Sequence, residues 1–201
     1  MLRIGYKQSQ GDHTLFIKCS DKGEVTALLV YVDDIIVTEN DVAERESFRK
    51  RLAQEFEIKE LKKLKYFLGI EVAYSKKDIF VSQWTYVLDF LKETRNLCSK
   101  AASTPIDSNH RIGRIEEGSS VDKGRYQRLV EKLIYLSHTR PDIAYSVSVV
   151  NQFMHDPKEE YLQAIYRILH YLKATSGKGI LFQKRGELTL ESYTDADYAG
   201  L

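Results

Sequence analysis

The stretch that most constrains the fold is Val25-Thr26-Ala27-Leu28-Leu29-Val30-Tyr31-Val32, nearly all apolar and β-prone. It is broken by Asp33-Asp34 and resumed as Ile35-Ile36-Val37-Thr38. A short apolar run of this kind predicts a strand buried on both faces. Two such runs separated by two acidic residues predict a hairpin with the acids at its tip. Burying ionised Asp without compensation is costly, so the pair is solvated, hydrogen-bonded or bound to a cation. Asp is common in turns because its side chain bonds nearby backbone N–H groups, and turn chemistry by itself favours a solvated tip. The other reading is a divalent-cation site. Mg²⁺ takes one or two protein carboxylates and completes its shell with water and substrate phosphate. Two ions about 3.5–4 Å apart can clamp the attacking and leaving oxygens of a phosphoryl transfer.

Around the hairpin, Thr14–Lys18 predicts a short strand closed by the turn-rich Ser20-Asp21-Lys22-Gly23. Asp41 with Glu44 makes a capping box. Phe48, Leu52 and Phe56 follow at helical spacing, predicting a helix over 41–56. Residues 66–74 and 79–83 read as two strands joined by Ser75-Lys76-Lys77-Asp78, and a helix is expected over 86–96. Residues 99–122, small and polar with Pro105, read as a long connection. From Lys123 the pattern becomes helical, with Tyr126, Leu129, Leu133 and Leu136 on one face and Pro141 opening a second helix. Asp156-Pro157 with Glu159 predicts the start of a third helix, carrying Leu162, Ile165, Leu169 and Leu172 and stopped by Gly177. The tail returns to β at Gly179–Phe182 and again at Leu188–Thr194, which runs into Asp195-Ala196-Asp197.

Composition narrows the class without naming a partner. The 201 residues are 43% apolar and suffice for one large domain or two small ones. With 11 Gly, 3 Pro and 11% aromatics the chain is not low-complexity disorder. No apolar run approaches the roughly 18 residues of a membrane span, and the N-terminus lacks a signal peptide's apolar stretch. Cys19 and Cys98 match no metal-ligand spacing and read as reduced thiols with no disulfide partner, in an intracellular chain, cytoplasmic or nuclear. Thirty basic against 29 acidic residues leave a net charge of +1, so bulk electrostatics announces no nucleic acid. Lys59, Lys62, Lys63 and Lys65 allow phosphate contact, although a solvated face is the plainer reading. Tyr126, Tyr135, Tyr145, Tyr161, Tyr166 and Tyr171 allow base stacking, although helical spacing favours core packing. His138, His155 and His170 share no ligand spacing.

Taken whole, Tyr31-Val32-Asp33-Asp34 with its apolar flanks resembles the catalytic hairpin of reverse transcriptases. Gly5-Tyr6-Lys7-Gln8-Ser9 with Asp12-His13-Thr14-Leu15-Phe16 is similar to the upstream palm segment of copia-type retrotransposon Pol polyproteins. Leu64–Val72, Ala102–Ile106, Leu133–Leu136 and Thr139–Ala144 resemble segments downstream in the same order. Tyr193–Gly200 resembles the opening of the RNase H domain. The resemblance spans essentially all 201 residues. It implies an α+β fold in three parts: the C-terminal part of a palm over 1–98, an antiparallel sheet with helices; a connection and mainly helical thumb region over 99–178; and the first strands of an RNase H-like domain over 179–201. It implies Asp33 and Asp34 as palm metal ligands, Tyr31 beside the primer terminus, and Asp195 as the first metal ligand of RNase H. The cofactor would be Mg²⁺, with Mn²⁺ possible, and the partners an RNA template, a DNA primer or RNA–DNA hybrid, and dNTP.

Three residues depart from the family pattern. Glu131 stands where a Gly usually precedes Lys-Leu-Ile-Tyr, and is expected to disturb close helix packing. Glu39 replaces a Gly, and Trp84 a polar residue. The family's palm also needs an Asp from a strand upstream of the hairpin, with fingers above it, and RNase H needs further acids beyond residue 201. Two metals on Asp33 and Asp34 alone would have too few ligands. The expectation is therefore a polymerase fragment inactive alone. The alternatives are a non-catalytic nucleic-acid-binding remnant and a decayed element without present function.

Overall fold

A computed structural model describes residues 4–107 and 118–184. The chain forms two compact units that divide between Leu64 and Lys65. Within the described residues it is α+β, with two four-stranded antiparallel sheets and five helices.

The first unit holds β1 (Lys7–Gln8), β2 (Leu15–Cys19), β3 (Val25–Tyr31) and β4 (Asp34–Glu39), paired in that order, and α1 (Val42–Glu55). The predicted hairpin is β3–β4, in register from Thr26↔Glu39 to Tyr31↔Asp34. Its two-residue turn is Val32-Asp33, so Asp34 opens β4 and does not share the tip with Asp33, as the sequence reading had it. Nor is β3 buried on both faces. Leu28, Phe16, Ile35 and Val37 pack with Tyr6, Phe48 and Leu52 under α1, whereas Ala27, Leu29 and Ile36 on the other face are half-buried. Asp41 caps α1 as predicted, accepting from the Glu44 N–H at 2.9 Å. The reciprocal half of the capping box is diverted. The Glu44 carboxylate takes the Tyr6 hydroxyl at 3.1 Å and the Lys18 ammonium at 2.8 Å, tying α1 to the sheet. Burial, with the Glu44 charge beside it, pushes the Tyr6 phenol up.

The second unit joins β5 (Tyr66–Phe67), β6 (Ile70–Tyr74), β7 (Asp78–Ser82) and β8 (Gly179–Gln183) to α2 (Trp84–Glu93), α3 (Lys123–Ser137), α4 (Pro141–Asn151) and α5 (Glu159–Ala174). The expected single strand over 66–74 is two, because Leu68 and Gly69 both take positive φ and fold the chain back on itself. This turn is held from α3, where the Tyr135 hydroxyl donates to the Leu68 carbonyl, and Tyr86 packs edge-on against Tyr135 at 5.3 Å. β8 pairs antiparallel along β7, as the outer strand of this sheet among the described residues. Only glycine fits at its start, since a Cβ on Gly179 would lie 2.2 Å from the Val81 carbonyl oxygen. The strand predicted over 188–194, with Asp195 and Asp197, lies outside the described residues.

One apolar core unites the helices. Val87, Phe90 and Leu91 of α2 meet Tyr126, Leu133 and Leu136 of α3, Ile143 and Val150 of α4, and Ile165, Ile168 and Leu172 of α5. All four predicted face residues of α3 are buried, and Tyr126 satisfies its hydroxyl on the Val150 carbonyl at 2.8 Å. Glu131 is exposed, so it disturbs no packing. α2 ends at Glu93 rather than near Asn96, because Arg95 enters the left-handed region at φ 58°. α5 begins at Glu159 with Lys158, not Asp156, as its cap. Residues 157–158 are held extended instead: the Val121 N–H donates to the Pro157 carbonyl, and Ser120 bridges Lys158. Among the tyrosines, Tyr126, Tyr161 and Tyr171 are core residues and Tyr145 is exposed.

The entry to α4 is fastened by a buried charge. Arg140, 1% exposed, forks onto Asp142 through Nε at 2.9 Å and Nη2 at 2.8 Å, and also donates to the Thr175 carbonyl and hydroxyl. Tyr171 donates to the same carboxylate at 2.7 Å. A guanidinium out of water is tolerable only when its fork is filled in this way.

Candidate active-site hairpin

The tip of β3–β4 is built by local chemistry. A two-residue hairpin loop needs positive φ at its first central residue for a type II′ turn or at both for a type I′ turn. Val32 supplies the first pattern at φ 50°, with no positive φ at Asp33. A β-branched residue in that region is strained. Val32 is also 82% exposed, so nothing packs on it to compensate. The turn presents Asp33 at the apex, while the register puts Tyr31 and Asp34 opposite each other. Since Ile35 and Val37 face α1, Asp34 and Tyr31 lie on the sheet face away from that helix.

Asp33 and Asp34 are both exposed, and no ion pair or side-chain hydrogen bond engages either of them among the described residues. Two adjacent carboxylates with open lone pairs are the hard oxygen donors a Mg²⁺-sized ion takes, and they suffice for one such ion with water and phosphate oxygens filling its shell. They do not suffice for two. Among the described residues no group of three or more His, Cys, Asp or Glu comes together to hold a metal. The hairpin therefore brings together Tyr31, Asp33 and Asp34, and Asp195 lies outside the described residues. On the other edge of the question, β4 is the outermost strand of its sheet and pairs only with β3 among the described residues, leaving one side of its backbone open.

The lysines of 59–65 are exposed, which agrees with the solvated reading. A second polar feature escaped the sequence reading. In the helical unit Arg95, Arg125, Arg128 and Lys132 line one cleft of about 360 Å³. The i, i+3, i+7 spacing of Arg125, Arg128 and Lys132 was the available signal. Arg95 joins them only through the fold.

Comparison with known proteins agrees with the hairpin. Residues 1–108 match the family model described as reverse transcriptase (RNA-dependent DNA polymerase). The chain is 40% identical over its whole length to the retrovirus-related Pol polyprotein from transposon RE1 of Arabidopsis thaliana, and 36% identical to that from transposon RE2. It spans 14% of the length of each. It is also 33% identical to an uncharacterized mitochondrial protein of the same plant, over 86% of this chain and 72% of that one. No solved structure matches. Hairpin, family match and full-length similarity converge: the chain belongs to the reverse transcriptase family and is related to the copia-type Pol polyproteins of retrotransposons.

Proposed function

We propose that residues 1–98 are the C-terminal part of a polymerase palm, with the metal-bearing hairpin in the first unit, acting in RNA-directed DNA synthesis as part of a longer polyprotein. The observation that carries this is the pair of exposed, unneutralised carboxylates, Asp33 in a strained two-residue turn and Asp34 at the first paired position of β4. Strain retained at an exposed position is characteristic of functional sites. Asp33 and Asp34 would hold a divalent cation, Mg²⁺ or Mn²⁺. Bound there, it would supply Lewis-acid stabilisation of the charge that develops on phosphate during nucleotidyl transfer. Tyr31, on the same face as Asp34 and 45% exposed, would support the primer terminus. Residues 99–178 would serve as the connection and thumb region, and Asp195 as a ligand of the RNase H site that begins at residue 179.

The chain alone is catalytically incomplete on this reading. Two carboxylates leave a two-ion site short of ligands, and the open side of β4 offers a further strand the backbone hydrogen bonds it needs. That strand, supplied from upstream in the polyprotein, would bring the third carboxylate. Primer extension on poly(rA) with an oligo(dT) primer and Mg²⁺ or Mn²⁺ tests both claims. The 201-residue chain should incorporate no dNTP. A version extended upstream to include the missing strand should incorporate it, and Asp33→Asn should abolish that activity. Robust synthesis by the short chain refutes incompleteness, and synthesis indifferent to Asp33→Asn refutes the site.

A further inference from the structure

The segment that joins the two units is open to solvent, and its backbone is uncommitted. α1 ends where Phe56 gives its N–H to the Leu52 carbonyl, and β5 begins at Tyr66. Every residue from Phe56 to Lys63 between them is exposed, with Leu61 at 71%. Among the described residues, no backbone group from Glu57 to Lys62 pairs with another backbone group. Arg49 of α1 reaches Glu60 at 3.1 Å, but both side chains are solvated, and a surface ion pair of this kind restrains little. Lys62 takes φ 63°, a left-handed conformation that strains an L side chain. Drawing it into extended backbone therefore relieves strain instead of adding it.

The sequence of this segment repeats an apolar residue followed by lysine, at Ile58-Lys59, Leu61-Lys62 and Leu64-Lys65. An extended, unpaired segment is what a peptide-binding cleft takes, since the cleft pairs with the free N–H and C=O groups of its occupant. Exposed lysines alone do not make such a segment. Lys76 and Lys77, in the turn between β6 and β7, are also exposed, but their backbone is held. The Lys77 N–H donates to the Ser75 hydroxyl at 3.2 Å, the Lys77 carbonyl accepts from Lys184 at 3.3 Å, and the Ser75 N–H closes the turn on the Asp78 carbonyl at 2.9 Å. Susceptibility to cutting follows the burial and hydrogen bonding of the backbone, and on both counts residues 57–62 differ from that turn.

We propose that residues 57–63 are a cleavage site for an endopeptidase that cuts after lysine, with Lys59 and Lys62 as the residues it reads. Water adds across the peptide bond after either lysine, leaving a carboxylate on that lysine and a free amine on Glu60 or Lys63. The cut severs the covalent link between the unit that carries Asp33 and Asp34 and the helical unit. That this ends polymerase competence rests on the palm reading above; the site itself rests on the exposure and free backbone of the segment.

Limited digestion of the 201-residue chain with trypsin, its fragments identified by mass spectrometry, tests the site. Among cuts within residues 4–107, those after Lys59 or Lys62 should come first, about tenfold faster than at Lys76 or Lys77. Their rate should barely change in urea too dilute to unfold the chain, because the segment is open in the folded state. Combining Lys59→Gln, Lys62→Gln and Lys63→Gln should abolish tryptic cutting within 57–63, while chymotrypsin still cuts after Leu61. A first cut at Lys76, Lys77 or any other lysine or arginine of 4–107 overturns the proposal. So does cutting within 57–63 that accelerates with urea as steeply as global unfolding, or a triple variant that chymotrypsin leaves whole at Leu61. Each of these leaves the hairpin assignment standing, because primer extension with Asp33→Asn tests that independently.

Discussion

Asp142 offers a titration that reads the core of the helical unit directly. Burial pushes its carboxyl up. The hydrogen bonds from Arg140 and Tyr171, with the Arg140 and Lys178 charges, outweigh this and bring it from 3.8 down to about 2. A fall of that size corresponds to roughly 2 kcal/mol of stability, and solvent around the partly exposed carboxylate reduces it to about 1 kcal/mol. Because the folded value is depressed, the contribution is fully present above the unfolded value near 4 and is lost as pH falls through about 2. Asp142→Asn keeps the shape and removes the charge. It should cost about 1 kcal/mol at pH 7, about half of that near pH 3, and almost nothing at pH 2. Urea unfolding followed by the fluorescence of Trp84 suits the measurement, since this single tryptophan lies in the same unit as Asp142. Comparing variant with wild type at each pH cancels the other carboxylates. A difference between the two that stays constant from pH 7 to pH 3 would refute the reasoning, since it would mean the Arg140 fork gains nothing from the Asp142 charge.

Two further substitutions test backbone arguments. Val32→Gly removes an exposed β-branched residue from φ 50° and should raise the stability of the hairpin unit by about 0.5–1 kcal/mol, net of the entropy glycine adds to the unfolded chain; slower hydrogen exchange of the β3–β4 amides would show it, and faster exchange would contradict the assignment of strain. Gly179→Ala should cost about 1–3 kcal/mol by wedging a methyl against the Val81 carbonyl, whereas Gly177→Ala, with nothing within 4 Å of its added Cβ, should be nearly neutral. Urea unfolding of the two variants side by side checks this, and equal costs would show that β8 is not held where the register places it.

Much of the hairpin was legible in the primary structure because it is local. The run Val25–Val32, the acids and the run Ile35–Thr38 carry their own pattern, and a two-residue link leaves few alternatives. The same holds for α3 and α4, whose apolar faces and Pro141 are short-range signals. Misplaced boundaries arose where long-range contacts outvoted local ones. Asp156 loses the cap of α5 because residues 118–121 pair with Pro157 and Lys158. The bend at Leu68-Gly69 is tied down by Tyr135, 67 residues downstream.

By itself, then, the amino-acid order determined the acidic hairpin, the succession of elements and the kinship with reverse transcriptases, since all three are properties of neighbouring residues or their order. Tertiary structure decided what depends on residues far apart in the chain. It placed Asp34 on a strand face with Tyr31, set β8 beside β7, buried Arg140 against Asp142 and Thr175, and brought Arg95 to the arginines of α3. Those arrangements arise from burial and packing among distant segments, and no periodicity in the sequence encodes them.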